Sequence, residues 1–208
     1  MRHIAVEGVI GVGKTALAEL LAKRLNAKLV FEEVETNPFL DRFYQDLRGY
    51  AFQTQLFFLL SRHRQQSELA QLGLFEENLV CDYLFEKDRV FAAMNLTEHE
   101  MALYERVYAM LAREVRRPDL VVYLQAPTEI VLARIKKRGR PFEVGIDPDY
   151  IEKLSDAYNS YFMRYDGAPV LIVNTERSDF VSSPEDFEDL FRAVDSTQSG
   201  RRFYSPGG

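Results

Sequence analysis

Five short apolar runs alternate along the chain with segments in which apolar residues recur at helical spacing. The runs cover residues 4–6, 29–31, 79–81, 120–124 and 170–173. Strands that are buried on both faces give such continuous apolar runs, and the helical segments between them supply the crossovers that parallel strands need. The pattern therefore predicts an α/β fold with a five-stranded parallel sheet and helices on both of its faces.

The helical segments are placed by spacing and by capping residues. A long helical stretch between the second and third runs carries two apolar faces, made of Phe39, Leu40, Phe43, Tyr44 and Leu47 and of Phe52, Leu56, Leu59, Leu60 and His63. Thr97 and Glu100 have the spacing of a capping box and predict the start of a further helix. That helix is expected to bury Leu103, Val107 and Leu111.

The first apolar run leads directly into a glycine-rich motif. The segment Gly8-Val9-Ile10-Gly11-Val12-Gly13-Lys14-Thr15-Ala16 contains the pattern G-x-x-x-x-G-K-[ST], and leucines at helical spacing follow it. Glycines let consecutive N–H groups turn toward an anion, and the helix N-terminus adds its positive dipole end. Lys14 is expected to reach the β- and γ-phosphates of a nucleotide, and the Thr15 hydroxyl to bind Mg²⁺. A glycine turn that binds nothing is the alternative, but the complete motif between a strand and a helix favours nucleotide binding.

Carboxylates follow the second and third apolar runs, at the sheet edge where parallel α/β sheets bind ligands. Glu32 is a candidate general base or hydroxyl-orienting group, and Glu33 competes with it because neighbouring strand residues point to opposite faces. Asp82 resembles a Walker-B acid that holds Mg²⁺ directly or through water, and it is also the alternative to Glu32 as the group that takes or orients the hydroxyl proton. The alternative for Asp82 is a strand-end acid that caps the next turn.

Basic residues crowd one short segment, which contains Arg134, Lys136, Lys137, Arg138 and Arg140. Arg134 and Arg138 lie on one face of a predicted helix that ends at Gly139. A solvated basic face gives the same pattern, but beside a phosphate loop the cluster favours a lid over residues 134–146. On closure, Arg138 and Arg140 are expected to stabilise the charge of a phosphoryl group in transfer.

The composition narrows the compartment and the partners. A formal net charge of -6 disfavours nucleic acid as the main partner. Cys81 is the single cysteine, which suits a reducing cytoplasm, and no apolar run approaches the roughly 18 residues of a membrane span, so no membrane partner is expected. Residues 1–195 are predicted to form a single domain, and residues 196–208 a tail that is frayed or packed on a neighbour.

Together these motifs resemble the deoxyribonucleoside kinases, especially the bacterial deoxyadenosine and deoxyguanosine kinases. The resemblance extends to about Val194 and rests on the phosphate loop and on residues 32–40, 43–44, 55–62, 82–83, 91–92, 134–143 and 174–180. It implies a P-loop kinase fold with an arginine-rich lid, an ATP-dependent reaction with Mg²⁺ on the 5′-hydroxyl of a deoxynucleoside, and a homodimer. Purine substrates are favoured only because the resemblance is strongest to the purine kinases.

The resemblance also implies roles for individual residues. Glu32 would lie near the substrate 5′-hydroxyl, and Tyr44 with Glu143 would bind the sugar 3′-hydroxyl and so favour deoxyribose. Gln55 and Arg62 would bind the base, and the amide of Gln55 suits a base edge because it presents a donor and an acceptor together. The lid would contain Arg134, Arg138 and Arg140. Residues beside the adenine of the donor would be Arg177, Asp179 and Phe180.

Two positions depart from the family pattern. Glu33 stands where the family often has proline, so a second acid lies beside the candidate base. Tyr83 stands where the family often has an arginine near the reacting phosphate, and Lys87 is a candidate to supply that charge. Tyr83, Lys87 and Asp88 are all expected near the substrate.

Two other functions remain open at this point. A nucleoside monophosphate kinase of the thymidylate-kinase type shares the phosphate loop and the lid, but it needs several cations for an acceptor phosphate, where this chain offers Arg62. A GTP-binding switch module needs Asp-x-x-Gly after a strand and an Asn-Lys-x-Asp motif. Residues 46–49 match the first within a helical pattern, and the second is absent from the sequence.

Overall fold

A computed structural model of the chain describes residues 2–71, 78–143 and 145–206. The strands are β1 (His3–Gly8), β2 (Lys28–Val30), β3 (Leu79–Cys81), β4 (Leu120–Gln125), β5 (Val170–Asn174) and β6 (Arg201–Tyr204). The helices are α1 (Lys14–Leu25), α2 (Leu40–Gln45), α3 (Leu47–Gln71), α4 (Asp88–Asn95), α5 (Glu98–Leu111), α6 (Thr128–Arg138), α7 (Pro148–Phe162) and α8 (Pro184–Ser196). Short 3₁₀ turns cover Phe85–Lys87, Ala112–Glu114 and Pro141–Glu143. Position 144 of the predicted lid, positions 1 and 72–77 of the predicted domain and positions 207–208 of the predicted tail lie outside the described residues.

The strands form one parallel sheet in the order β2-β3-β1-β4-β5-β6. The chain first places β2 and β3 on one side of β1, and it then crosses over and places β4 and β5 on the other side. In open parallel sheets, ligands bind outside the carboxyl ends of the strands where the direction of winding reverses. The topology therefore places a crevice at the ends of β1 and β3.

The predicted α/β fold and all five predicted strands are confirmed, but the sheet has a sixth strand. The tail that the sequence predicts to be frayed or packed on a neighbour supplies it, as Arg201–Tyr204. Arg201 Nε donates to the Phe162 carbonyl at 3.1 Å, and Arg202 Nη1 donates to Ser196 Oγ at 2.8 Å. The strand is mostly exposed and its sequence is no apolar run, so it gives no hydrophobic signal, and main-chain pairing with β5 holds it.

The main core packs the central strands against the helices. Its fully buried members include Ile4 of β1, Leu17 of α1, Val122 of β4, Leu154 of α7 and Val173 of β5. This apolar layer fixes the strand ends from which the cleft loops start. Among the described residues, no helix combines the length and the apolarity that a membrane crossing requires.

The buried side of α3 differs from the prediction. Leu59 is buried as expected, but Leu60 is 48% exposed. The buried polar and charged residues of α3 are Thr54, Gln55, Arg62, Gln65 and Gln66. Part of this side faces the cleft described below, so polar side chains occupy positions where periodicity alone predicts apolar ones.

The capping box of α5 is confirmed, because Thr97 N donates to Glu100 Oε2 at 2.9 Å and the Thr97 side chain accepts from Glu100 N. The buried face of the helix is turned relative to the prediction. Leu103 is 51% exposed, whereas Tyr104 is buried. The Tyr104 hydroxyl donates to Asp88 at 2.7 Å, and this buried polar contact fixes which face of α5 packs inward.

Candidate active site

The residues that follow β1, β2 and β3 line a cleft of about 540 Å³. This volume lies within the usual range for small-molecule sites. The predicted site residues that line it are Ile10, Gly11, Val12, Gly13, Lys14, Thr15, Ala16, Glu32, Tyr44, Gln55, Arg62, Asp82, Lys87, Arg134, Arg138, Arg140, Glu143, Asp179 and Phe180. Residues from distant parts of the chain thus come together at the edge of the sheet that the strand pattern predicts.

The phosphate loop has the backbone geometry that its motif predicts. Gly11 has a φ of 82°, and a Cβ there would lie 2.5 Å from Ile135 Cγ1, so only glycine lets the loop pack against α6. Lys14 Nζ donates to the carbonyl oxygens of Gly8 and Val9 at 2.8 and 3.2 Å. Because α1 begins at Lys14, its N-terminus adds a positive dipole end to the cleft, as an anion site requires.

Two lysines of the cleft lie close enough to influence each other. Burial and the nearby charge of Lys87 lower the pKa of Lys14 to about 8. The carboxylates of Glu7, Glu32 and Asp82 act in the opposite direction. Since an anion between like charges relieves their repulsion, a polyphosphate would stabilise both ammonium groups.

Asp82 joins the phosphate loop to the end of β2. Thr15 Oγ1 donates to one carboxylate oxygen of Asp82 at 2.8 Å, and the backbone N–H of Glu32 donates to the other at 2.7 Å. These contacts match the Walker-B interpretation better than the capping alternative. A hydroxyl and a carboxylate are oxygen ligands of the kind that Mg²⁺ prefers, so the donor set fits the predicted metal site.

The structure distinguishes the two neighbouring glutamates. Glu32 lines the cleft, whereas the Glu33 carboxylate lies outside it, 2.5 Å from Arg64 Nη2 and 3.2 Å from Ser61 Oγ. The side chain of Glu33 is 36% exposed and that of Glu32 is 11% exposed. Of these two glutamates, Glu32 is therefore the one that lines the cleft.

Glu32 lies between two cations. Lys87 Nζ is 2.8 Å from Glu32 Oε2, and Arg62 Nε donates to Glu32 Oε1 at 2.9 Å. Burial alone would raise the pKa of Glu32, but the charges of Lys87 and Arg62 outweigh burial and hold the pKa well below its ordinary value. The carboxylate is therefore ionised, and it can accept a hydrogen bond from a hydroxyl.

Tyr83 and Asp88, both predicted to contact the substrate, do not line the cleft. The Tyr83 hydroxyl accepts from Gln66 Nε2 at 3.1 Å, behind the site. Asp88 is fully buried and pairs with Arg62, so it can act on a substrate only through that arginine. The physical reason is the 3₁₀ turn after β3, which brings Lys87 back to the cleft while its neighbours face the interior.

The basic segment forms α6 and the turn after it, as the sequence predicts. Arg134 Nη1 donates to the Val12 carbonyl at 2.9 Å and so contacts the phosphate loop directly. Arg138 Nε donates to Glu143 Oε2 at 3.1 Å, and Arg140 Nη1 lies 4.0 Å from the same carboxylate. Arg134 therefore contacts the phosphate loop, while Arg138 and Arg140 hold Glu143, the predicted sugar ligand, in the lining of the cleft.

The expected nucleoside side of the cleft carries aromatic and polar groups. Tyr44 packs on Phe43 with 5.3 Å between ring centroids, and Gln55 is 2% exposed. The Arg62 guanidinium carbon lies 4.9 Å from the centre of the Phe58 ring. Thr54 also lines the cleft, and its buried hydroxyl has no hydrogen-bond partner among the described residues. A polar ligand edge would satisfy it.

The loop after β5 is only partly in the predicted place. Asp179 and Phe180 line the cleft, and the Phe180 ring packs beside Gly13 of the phosphate loop. Arg177 is exposed and does not line the cleft. The predicted donor contact of Arg177 therefore has no support from the cleft geometry.

Sequence reasoning missed two residues of this region. Glu7 is fully buried beside Lys87, and the one available signal was a charged residue inside an otherwise apolar strand. Thr54 gave no signal, because a threonine within a helical pattern has no distinctive spacing.

The Asp46 of the Asp-x-x-Gly match is exposed and accepts from Gly49 N at 2.9 Å, outside the cleft. This placement removes the support for a GTP-binding switch.

The comparison with known families agrees with this geometry. The sequence model described as deoxynucleoside kinase matches residues 4–198, so the chain belongs to the deoxynucleoside kinase family. A deoxyguanosine kinase of Bacillus subtilis (strain 168) is 35% identical over 192 residues, which cover 90% of this chain and 93% of that protein. A deoxyadenosine kinase of Dictyostelium discoideum is 36% identical over 197 residues, which cover 92% of this chain and 78% of that protein.

Solved structures give the same result for the fold. The structure of a deoxyadenosine kinase from M. mycoides with bound dATP has a TM-score of 0.79 to this chain at 27% sequence identity. The similarity covers 94% of this chain and 100% of that chain. The predicted P-loop kinase fold is thereby confirmed, with six strands in place of five.

Proposed function

We propose that this protein is a deoxyribonucleoside kinase that transfers the γ-phosphoryl group of ATP, with Mg²⁺, to the 5′-hydroxyl of a purine deoxynucleoside. The observation that carries the proposal is the chain of contacts from Thr15 through Asp82 to Glu32. It joins a phosphate-binding loop to an acceptor-side carboxylate within one cleft. Such a connection suits a reaction in which a polyphosphate and an alcohol must meet in line.

The charges on the acceptor side favour a neutral acceptor over a nucleoside monophosphate. In the described cluster, the cations Arg62 and Lys87 are paired with the carboxylates of Glu7, Glu32 and Asp88. Carboxylates therefore outnumber cations there, and an acceptor phosphate would meet net repulsion. A sugar hydroxyl can instead donate its hydrogen bond to Glu32 without bringing a further negative charge.

In the proposed reaction, the bond between the γ-phosphorus and the oxygen that bridges the β- and γ-phosphates of ATP breaks while a new bond to the 5′-oxygen forms, and ADP leaves with the bridging oxygen. Glu32 orients the hydroxyl and accepts its proton, and Lys14 neutralises charge on the β- and γ-phosphates. Arg138 and Arg140 stabilise the charge on the phosphoryl oxygens and exclude water. Thr15 and Asp82 would hold Mg²⁺, which supplies charge neutralisation of the phosphates when it is bound.

Lys87 takes the place of the arginine that the family often carries beside the reacting phosphate. An ammonium group has three N–H donors, and Glu32 and Glu7 lie 2.8 and 3.3 Å from Lys87 Nζ. Because Lys87 also lines the cleft, a remaining donor can serve a phosphate oxygen. The site thus keeps a cation at the reacting group without an arginine at position 83.

The proposal of purine specificity has separate support. Relatives named deoxyguanosine kinase and deoxyadenosine kinase are 35% and 36% identical to this chain, but one at 30% identity is named deoxyadenosine/deoxycytidine kinase. Gln55 and Thr54 line the cleft with groups that suit a base edge. We further propose a single domain, which extends past the predicted limit at residue 195 to include strand β6, and a cytoplasmic homodimer, as the resemblance and the single cysteine indicate.

The test is an acceptor comparison with Mg-ATP as donor. Deoxyadenosine, deoxyguanosine, deoxycytidine and thymidine are compared with dAMP at equal concentration, and formation of ADP and monophosphate is followed. We expect turnover with the purine deoxynucleosides and none with dAMP. Turnover with dAMP alone would indicate a nucleoside monophosphate kinase activity. Turnover with thymidine alone would overturn the proposed purine specificity.

Replacing Tyr44 with phenylalanine should erode the preference for deoxyribose. The lost hydroxyl removes a hydrogen bond to the sugar 3′-position, which both sugars can make, and it frees space beside the neighbouring 2′-position, which only ribose fills. We therefore expect kcat/KM for the deoxynucleoside to fall about fivefold, within the usual range for one hydrogen bond, and kcat/KM for the ribonucleoside to fall less. The ratio of kcat/KM for deoxyguanosine and guanosine measures the effect. Tyr50→Phe, which removes a hydroxyl that accepts from Arg42 Nη1 outside the cleft, is the matched control. An unchanged ratio would remove Tyr44 from the sugar site.

Replacing Asp82 with asparagine should raise the requirement for Mg²⁺. The variant keeps an oxygen beside Thr15 Oγ1 but loses the charge, so we expect the Mg²⁺ concentration for half-maximal activity to rise by at least about tenfold. A magnesium titration at saturating ATP gives this value, and chelation should abolish activity in both proteins. Asp41→Asn changes an exposed carboxylate outside the cleft and serves as control. An unchanged titration midpoint in Asp82→Asn would argue against a metal role.

A further inference from the structure

Glu7 is a fully buried carboxylate at the end of β1, directly before the phosphate loop. Its Oε2 accepts from Gly8 N at 2.8 Å, and its Oε1 accepts from Leu84 N at 2.8 Å. The same Oε1 lies 3.3 Å from Lys87 Nζ. A buried carboxylate is costly unless donors surround it, and here the donors come from the phosphate loop and from the segment that follows β3. Glu7 therefore links the phosphate loop, the turn after β3 and the cation of the cleft.

Glu7 does not line the cleft, whereas its partner Lys87 does. The Lys87 side chain is 3% exposed, and its ammonium group lies between Glu7 and Glu32, at 3.3 and 2.8 Å. Burial by itself would lower the pKa of Lys87, but the charges of Glu32 and Glu7 outweigh burial and raise the pKa above its ordinary value. The side chain is therefore held as a cation at a defined position, and Glu7 can reach the substrates only through it.

We propose that Glu7 is a positioning residue that holds the Lys87 ammonium group toward the transferred phosphoryl group and away from full pairing with Glu32. Without Glu7, the whole ammonium charge would fall on Glu32, the carboxylate that orients the acceptor hydroxyl. That pairing would weaken Glu32 as an acceptor and withdraw the cation from the phosphate. The inference rests on the proposed function, because it concerns the same reaction.

Other charges also face Lys87, and they limit how it can move. Arg62 and Lys14 repel it from the sides of α3 and the phosphate loop. Glu32 is thus the one carboxylate besides Glu7 that an ion pair or a hydrogen bond joins to Lys87 in the described part of the chain. Without Glu7, the Lys87 ammonium group is therefore expected to move toward Glu32 and pair fully with it.

A double-mutant cycle tests the proposal. The proteins are wild type, Glu7→Gln, Lys87→Met and the double variant, assayed with Mg-ATP and the preferred deoxynucleoside. We expect Glu7→Gln to lower kcat about tenfold, a coupling typical of contacting charges, and to leave KM for both substrates within about twofold. In the Lys87→Met background, the same change should cost less than about twofold, because the group on which Glu7 acts is gone.

If the kcat losses of the two single variants multiply in the double variant, Glu7 acts independently of Lys87, through the phosphate loop and the turn after β3. That result would overturn the proposal. Glu7→Asp keeps the charge but shortens the side chain, and it should lose less kcat than Glu7→Gln while the fold is checked by the melting temperature. Failure of both Glu7 variants to fold, with and without Lys87, would make Glu7 a purely structural residue and would also overturn it. Wild-type turnover is measured first, so failure of the proposed function itself would be seen separately.

Discussion

Replacing Lys14 with alanine is expected to lower kcat by roughly three orders of magnitude, the loss typical of a cation that stabilises a phosphoryl-transfer transition state. Lys14 Nζ lies at the phosphate loop, 2.8 Å from the Gly8 carbonyl oxygen. Burial and Lys87 lower the pKa of Lys14 to about 8, and a bound polyphosphate would counteract them and stabilise the charged form. Alanine removes that charge from both the bound donor and the transition state.

The matched control for this prediction is Lys23→Ala, an exposed lysine on the same helix, α1. It removes one positive charge and one long side chain without touching the cleft. We expect Lys23→Ala to retain wild-type kcat. A Lys14→Ala protein that keeps more than about a tenth of wild-type kcat would contradict the assignment of the loop as the donor site.

Replacing Glu32 with glutamine is expected to lower kcat by about two orders of magnitude, within the usual range for the loss of acid–base help. The carboxylate accepts from Arg62 and Lys87, which keep it ionised. Glutamine has nearly the same shape but no charge, so it orients the hydroxyl poorly and cannot take its proton. It also leaves the two cations with less compensation, which should raise KM for the nucleoside.

Glu33 provides the adjacent control, because its carboxylate lies outside the cleft beside Arg64. Glu33→Gln should have kcat and KM close to wild type. A Glu32→Gln protein with near-normal kcat, together with an inactive Asp82→Asn protein, would move the hydroxyl-orienting role to Asp82. Steady-state kinetics on the three variants decides between these outcomes.

The features that the sequence predicts well are those fixed by local rules. The phosphate loop needs glycine where φ is positive, as at Gly11, and this demand comes from the backbone of the loop itself. The buried strands β1, β3, β4 and β5 have apolar runs because both of their faces are covered, whereas β2 lies at the sheet edge and is only partly buried. Gly139 ends α6 in the left-handed conformation with a φ of 67°, at the position where the sequence ends the helix. Local chemistry alone sets each of these features.

The features that the sequence misses depend on contacts between distant segments. Tyr83 and Lys87 lie four positions apart, and only the 3₁₀ turn decides that Lys87 reaches the cleft. The buried side of α3 is polar because a cleft lies against it, which periodicity does not reveal. The contacts of Glu7 with Leu84 and Lys87 exist only because β1 pairs with β3, which brings Glu7 next to the turn after β3. Strand β6 depends on main-chain pairing, which leaves no hydrophobic pattern.

Phosphorus NMR of the protein with Mg-ATP and deoxyguanosine shows whether the γ-phosphoryl group reaches the 5′-hydroxyl, because it identifies the bond that forms. We expect a 5′-monophosphate resonance, split by the protons of the 5′-carbon, to grow in step with the resonances of ADP. The Lys14→Ala protein should give neither signal. Release of inorganic phosphate as the sole new product, or an unchanged spectrum with every deoxynucleoside, would contradict the account.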